Sequence, residues 1–205
     1  SVHEDGVQVF DAATKERIAH LTKQVPVQAA IAFSPNGALL AVSGYTGGDG
    51  YDLHLVDTTT WQNLSLANNT PLIGHKQPVN SIAWSKSGEQ LVTASFDRTV
   101  KLWDVAEHKL LHSFDTHAAQ VTAARFAQND RDIVSVGWDY SFRRYEIATK
   151  QQTYLGRGHT KRVQWCDLNA QGDLLATVGE DGVIRLWDLQ DPAPAVRELR
   201  HTDKS

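Results

Sequence analysis

Four histidines, His75, His117, His159 and His201, stand 42 residues apart, and so do three aspartates, Asp97, Asp139 and Asp181. Each of those aspartates follows its histidine by 22 positions, and six residues later come Trp103-Asp104, Tyr145-Glu146 and Trp187-Asp188. Three markers holding one register mean a repeated structural unit rather than a chance resemblance between segments. The clearest unit runs from Gly74 to Asp104 and reads as three short strands. Ser81 to Trp84 alternates, Lys86-Ser87-Gly88 makes a turn, Leu91 to Ser95 is apolar and β-branched, and Val100 to Trp103 alternates again.

The Gly-His opening of this unit and its Trp-Asp ending resemble a WD40 repeat, one blade of a β-propeller. The resemblance implies an all-β fold of four full four-stranded blades plus a half blade. On this reading residues 1–24 are the half blade, 25–73 a divergent blade, 74–116, 117–157 and 158–200 three WD40 blades, and 201–205 the start of a further repeat or a tail. In the half blade, Gly6 to Asp11 matches a third strand, with Phe10-Asp11 in place of Trp-Asp, and Arg17 to Leu21 an outer one. Two inner strands are expected to be missing there. In the divergent blade, Ala29 to Phe33 and Leu39 to Ser43 flank the turn Ser34-Pro35-Asn36-Gly37, where Pro presets the first corner and Asn-Gly tolerates positive φ. A long Gly-rich loop, Gly44 to Asp52, then leads to a third strand, Leu53 to Val56. A seven-bladed ring at this period needs roughly 300 residues, so this stretch is expected to be part of a larger ring. A longer parent polypeptide or a second chain would supply the other strands.

Composition narrows the functional classes. With 41% hydrophobic and 21% charged residues the chain is an ordinary globular one. A net charge of −4 leaves no basic surplus to displace the counterions of a nucleic acid. Residues 1–24 hold neither an apolar signal core nor a membrane span, so no membrane role and a cytoplasmic setting are expected. Cys166 is the one cysteine, which rules out an intrachain disulfide and a Cys-rich metal site. The absence of methionine points to a piece of a longer protein.

His75, Ser95 and Asp97 contain the residue types of a catalytic triad, yet the resemblance implies something else. In WD40 repeats a His, a Ser or Thr, an Asp and a Trp form a buried hydrogen-bonded tetrad, here His75, Ser95, Asp97 and Trp103. The blade of His159, Asp181 and Trp187 has Gly179 at the serine position, and that of His117 and Asp139 has Gly137 and Tyr145. Incomplete tetrads are therefore expected in those two. Equivalent histidines on successive blades stand about 10 Å apart, too far to share a zinc ion with ligands near 2 Å. No metal, no cofactor and no enzyme activity are expected. The Gly-rich loop lacks the Gly-Lys-Ser/Thr ending of a phosphate-binding loop and the acidic spacing of a calcium loop.

Departures from the repeat point to binding. Phe96, Arg98, Trp138 and Tyr140 place large side chains on the turns that hold the aspartates, where the family mostly has small or polar ones. By resemblance these turns open on the narrow top face, where WD40 propellers grip peptides. Lys76, Lys161 and Arg162 stand on the same face and add a preference for acidic partners. Arg144 occupies the position of Leu102 and Leu186, so its guanidinium must pair with a carboxylate or reach the channel. Trp165, where neighbouring blades have Ser81 and Ala123, reads as a packing residue. The function expected is a non-catalytic scaffold that binds proteins or peptides. One alternative is an assembly subunit completed by a second chain, and another a ligand-binding propeller with Arg144, Trp165 and the Gly-rich loop around one site.

Overall fold

The computed structural model describes residues 2–3, 6–21, 30–45, 50–64, 72–191 and 197–200. These residues form five antiparallel sheets, each with its strands in chain order. The first contains β1 (Val2–His3), β2 (Gly6–Phe10) and β3 (Arg17–Leu21). The second contains β4 (Ile31–Phe33), β5 (Leu39–Tyr45), β6 (Tyr51–Asp57) and β7 (Leu72–His75). The third is β8 (Val79–Trp84), β9 (Gln90–Ser95), β10 (Val100–Asp104) and β11 (Lys109–Phe114). The fourth is β12 (Val121–Ala127), β13 (Asp132–Gly137), β14 (Ser141–Glu146) and β15 (Gln151–Arg157). The fifth is β16 (Val163–Leu168), β17 (Leu174–Gly179), β18 (Val183–Asp188) and β19 (Arg197–Arg200).

These are repeated propeller blades, and the core lies between them. Ala41, Leu53 and Leu55 of the second sheet meet Val79, Leu91 and Trp103 of the third. Val92, Val100 and Phe114 of the third meet Ala124, Ile133 and Tyr145 of the fourth. Val134, Val136 and Phe142 of the fourth meet Cys166, Leu175 and Trp187 of the fifth. Alternation explains the pattern: in β9, β13 and β17 successive residues face opposite neighbours, so a strand inside the stack is apolar on both sides. Each large side chain buried in these layers contributes roughly 1.5–3 kcal/mol. Aromatic pairs lock consecutive blades, Phe114 with Tyr145 at 4.4 Å and Phe142 with Trp187 at 4.8 Å. Inner strands are tied in the same rhythm, with Asn80 Nδ2 donating to the Val121 carbonyl at 3.2 Å and Thr122 Oγ1 to that of Val163 at 2.9 Å.

Three details differ from the sequence reading. The N-terminal sheet has three strands, because Val2 and His3 pair with Val7 and Gly6; two residues are too short a run to show alternation. The segment read as a loop from Gly44 to Asp52 is strand at both ends, with Gly44 opposite Asp52 and Tyr45 opposite Tyr51. Residues 46–49 of it lie outside the described residues, as do the last five positions. Gly74 and His75 close the outer strand of the second sheet, so the boundary drawn at residue 73 falls inside β7.

Candidate functional site

In the third, fourth and fifth blades, the turn joining the second and third strands and the segment leading into the first strand meet on one rim, where histidine and aspartate lock them together. In the third blade His75 Nδ1 lies 2.8 Å from Asp97 Oδ2, while His75 Nε2 is 2.7 Å from Thr93 Oγ1. Trp103 Nε1 donates to that same hydroxyl at 2.9 Å. The serine expected in this network, Ser95, is outside it: its hydroxyl donates to the Gln77 carbonyl at 2.9 Å. Ser95 shares a strand face with Thr93 but lies two residues nearer the rim, beyond reach of the indole.

The same displacement completes the two blades expected to be incomplete. His117 bonds Asp139 and Ser135 at 3.0 and 2.7 Å, with Tyr145 Oη 3.5 Å from the Ser135 hydroxyl. His159 bonds Asp181 and Thr177 at 3.0 and 2.8 Å, and Trp187 Nε1 donates to Thr177 at 2.9 Å. Glycine at 137 and 179 makes room for the imidazole, since a Cβ there would meet the Gln120 carbonyl at 2.6 Å and His159 Nδ1 at 2.7 Å. A buried cation follows four residues after each aspartate: Lys101, Arg143 and Arg185. Arg143 donates to Asp139 at 3.0 Å and Arg185 to Asp181 at 2.9 Å. Lys101 instead donates to Ser113 at 2.8 Å. The sequence reading missed these cations, although their own step of 42 was in plain view.

The electrostatics are those of a frame. Burial pushes His75, His117 and His159 below the ordinary imidazole value, outweighing the aspartates that pull the other way. Burial works to raise Asp97 and Asp139, but hydrogen bonds from histidine and the neighbouring hydroxyl hold both well below the usual carboxylate range. The histidines and aspartates bond one another within the frame, while the cations also reach the outer strand, Lys101 at Ser113, Arg143 at Gln152 and Arg185 at Glu198.

On this frame the other rim side chains are arranged, Phe96 and Trp138 half-buried, Arg98 and Tyr140 exposed. Phe96 and Trp138 hold equivalent places in successive turns, and their rings lie 5.3 Å apart at 45°. The Arg162 guanidinium covers the Trp138 ring at 4.2 Å. Arg98 and Tyr140 occupy the left-handed positions of their turns, at φ 73° and 66°, where the fifth blade has Gly182 at 71°. Tyr140 is 47% exposed, and Lys161 and Arg162 are exposed on the segment leading into β16. A cavity of about 230 Å³ opens among Asn80, Phe96, Thr122, Trp138, Gln164 and Trp165. The Trp138 indole N–H is buried and has no hydrogen-bond partner.

Trp165, read as a packing residue, is 42% exposed, with the Arg125 guanidinium 4.9 Å from the centre of its ring. Arg144 lies on the opposite rim. Its guanidinium is 3.7 Å from Asp132, donates to Thr153 at 3.2 Å and to the Leu189 carbonyl, and lines a cleft with Gln128, Arg131, Gln171 and Asp173. Of the two alternatives for this residue, it is therefore the carboxylate that it reaches. Arg144 and Trp165 thus belong to different ends of the blades and do not share a site. Among the described residues no three His, Cys, Asp or Glu side chains gather to hold a metal, and no helix is long and apolar enough to cross a membrane.

Repeated four-stranded blades carrying three His-Asp-Ser/Thr networks define a β-propeller repeat protein. The family model described as "WD domain, G-beta repeat" matches residues 68–104, 108–145 and 149–188, more than half of the chain. The chain belongs to the WD40-repeat family. Among similar proteins are WD repeat-containing protein 37 of Homo sapiens, 29% identical over 64% of this chain and 27% of its own length, and WD repeat-containing protein VIP3 of Arabidopsis thaliana, 31% identical over 64% of this chain and 42% of its own. The COMPASS component SWD3 of Saccharomyces cerevisiae is 27% identical over 77% of this chain and 50% of its own length. The chain thus spans between about a quarter and a half of these relatives.

Proposed function

We propose that this chain is a non-catalytic interaction scaffold that holds a partner protein or peptide on the rim bearing the histidine networks. The observation that carries this reading is the Phe96–Trp138–Arg162 stack beside an open cavity, large side chains on turns already fixed by buried hydrogen bonds. Rigid aromatic and arginine side chains are the types that dominate interface energetics, because they bring much contact area with little entropy to lose. Arg98 and Tyr140, held at left-handed backbone angles that disfavour any side chain, support it further. A relative named as a component of COMPASS is consistent with service inside a complex. The test is capture of partners from a cognate extract by the wild-type chain and by Trp138→Ala, with loss of capture expected in the variant.

A second reading has its own support. Trp165, Val178, Ile184 and Leu199 form one cross-strand row through the fifth sheet, each about 40% exposed. The equivalent row of the fourth sheet, Ala123, Val136, Phe142 and Gly156, is covered by the next blade. The fifth sheet is thus built to be covered by a further blade, which a longer polypeptide or a second chain would supply. As for compartment, the cytoplasm has a rival in the nucleus, since another relative is named as a U3 small nucleolar RNA-associated protein homologue.

A further inference from the structure

Aromatic faces on a protein rim ordinarily attract cations, through the negative face of the ring. Here one face of each of two rings already carries a guanidinium. Trp138 is covered by Arg162 and flanked by Phe96, and Trp165 is covered by Arg125. Arg125 is itself anchored, donating to Ser81 at 2.9 Å and lying 3.6 Å from Asp167. A cationic side chain entering the cavity would meet guanidinium groups instead of open ring faces.

The hydrogen-bonding capacity left over points the same way. Asp97, Asp139 and Asp181 are committed to their histidines and to backbone N–H groups at 3.0–3.1 Å. Glu180, an exposed carboxylate on the turn of the fifth blade, accepts from Gln164 at 2.6 Å. The exposed cations of the same loops, Lys76, Arg98, Lys161 and Arg162, have no side-chain ion pair among the described residues. The rim therefore sets four cations without an ion pair, Lys76, Arg98, Lys161 and Arg162, against the exposed carboxylates Asp115 and Glu180, and it does so on a chain whose overall charge is −4.

We infer that the segment held on this rim is an acidic peptide, with a carboxylate side chain placed at the cavity between Trp138 and Trp165 and paired with Arg162 and Lys161. This rests on the scaffold reading above and names the chemistry of the partner. Opposite charge at a rim sets partner choice and salt dependence more than bulk affinity.

The test uses three capped peptides of equal length, with Glu, Gln or Lys alternating with Ala, titrated into the full chain while the indole N–H resonances are followed by NMR. The Trp138 and Trp165 signals are assigned from Trp138→Phe and Trp165→Phe. The Glu peptide is expected to shift both signals, to bind at least about tenfold more tightly than the Gln peptide, and to lose most of that advantage between 50 and 200 mM salt. The double variant Arg162→Gln, Lys161→Gln, both exposed positions, is expected to remove the advantage while the amide spectrum stays that of the folded wild type. Equal binding of the three peptides, a preference for the Lys peptide, or an undiminished Glu preference in the double variant overturns the inference. Loss of natural partners with Trp138→Ala alongside any of those results would leave the scaffold reading standing and sink only the acidic specificity.

Discussion

His75 and Trp103 meet on one atom: the Thr93 hydroxyl lies 2.7 Å from the imidazole and 2.9 Å from the indole N–H. A single hydroxyl between strands therefore satisfies two buried rings from different segments. Thr93→Val keeps the shape and removes the hydroxyl, leaving His75 Nε2 and Trp103 Nε1 unsatisfied. It should cost about 2–4 kcal/mol, the sum of two orphaned buried groups, read as a lower urea midpoint with an unchanged slope. Ser95→Ala removes instead the hydroxyl that bonds the Gln77 carbonyl and the Asp97 N–H, and should leave both rings bonded to Thr93.

Arg98 and Tyr140 occupy left-handed backbone positions where the fifth blade uses glycine. That conformation costs a side-chain-bearing residue roughly 1–2 kcal/mol, which glycine's greater chain entropy partly offsets. Arg98→Gly and Tyr140→Gly are therefore expected to leave stability unchanged or raise it by up to about 1 kcal/mol, while weakening partner capture. A marked fall in thermal midpoint would assign these side chains to packing.

Stability should fall in mild acid. His54, in β6, is buried with neither ring nitrogen bonded, and burial lowers its pKa despite the opposing charge of Asp52. His75, His117 and His159 are lowered as well. A histidine depressed in the folded state binds its proton more readily when unfolded. Its contribution is full above about pH 6.5 and is lost as pH falls below that value. The lowered aspartates act in a separate window, beginning only below about pH 4. Urea midpoints measured from pH 8 to pH 5 should decline below about 6.5, and His54→Leu should make that decline shallower.

The exposed row on the fifth sheet predicts association. Light scattering at rising concentration should show the wild-type chain gaining mass or meeting a second chain. Ile184→Lys with Leu199→Lys should suppress this without loss of fold, since both side chains are already about 40% exposed. A wild-type chain that stays at 22.7 kDa across the range would exclude self-association through this face.

The step of 42 made the blade architecture legible, because a repeat fixes the class of fold before any strand is placed. What alternation could not settle was position along a strand: Thr93 and Ser95 lie on the same face, and only distance to the two rings separates them. Gly-rich composition hid the strand ends at Tyr45 and Tyr51, whose pairing is set by backbone bonds to a partner strand rather than by side chains. The surroundings of Trp165 were not legible, because the burial of its ring depends on what packs against its sheet, not on its own strand. The Phe96–Trp138 contact follows from two turns held in the same register, but the guanidinium over Trp138 comes from a third segment that no local pattern joins to it.

Trp138→Ala tests the central claim most directly, measured as affinity for a partner captured by the wild-type chain, beside a urea titration of each protein. A hot-spot residue predicts a loss of about 30-fold or more with the unfolding midpoint little changed. Undiminished affinity in a folded variant, or collapse of the fold itself, would contradict the account and make the rim stack a matter of packing.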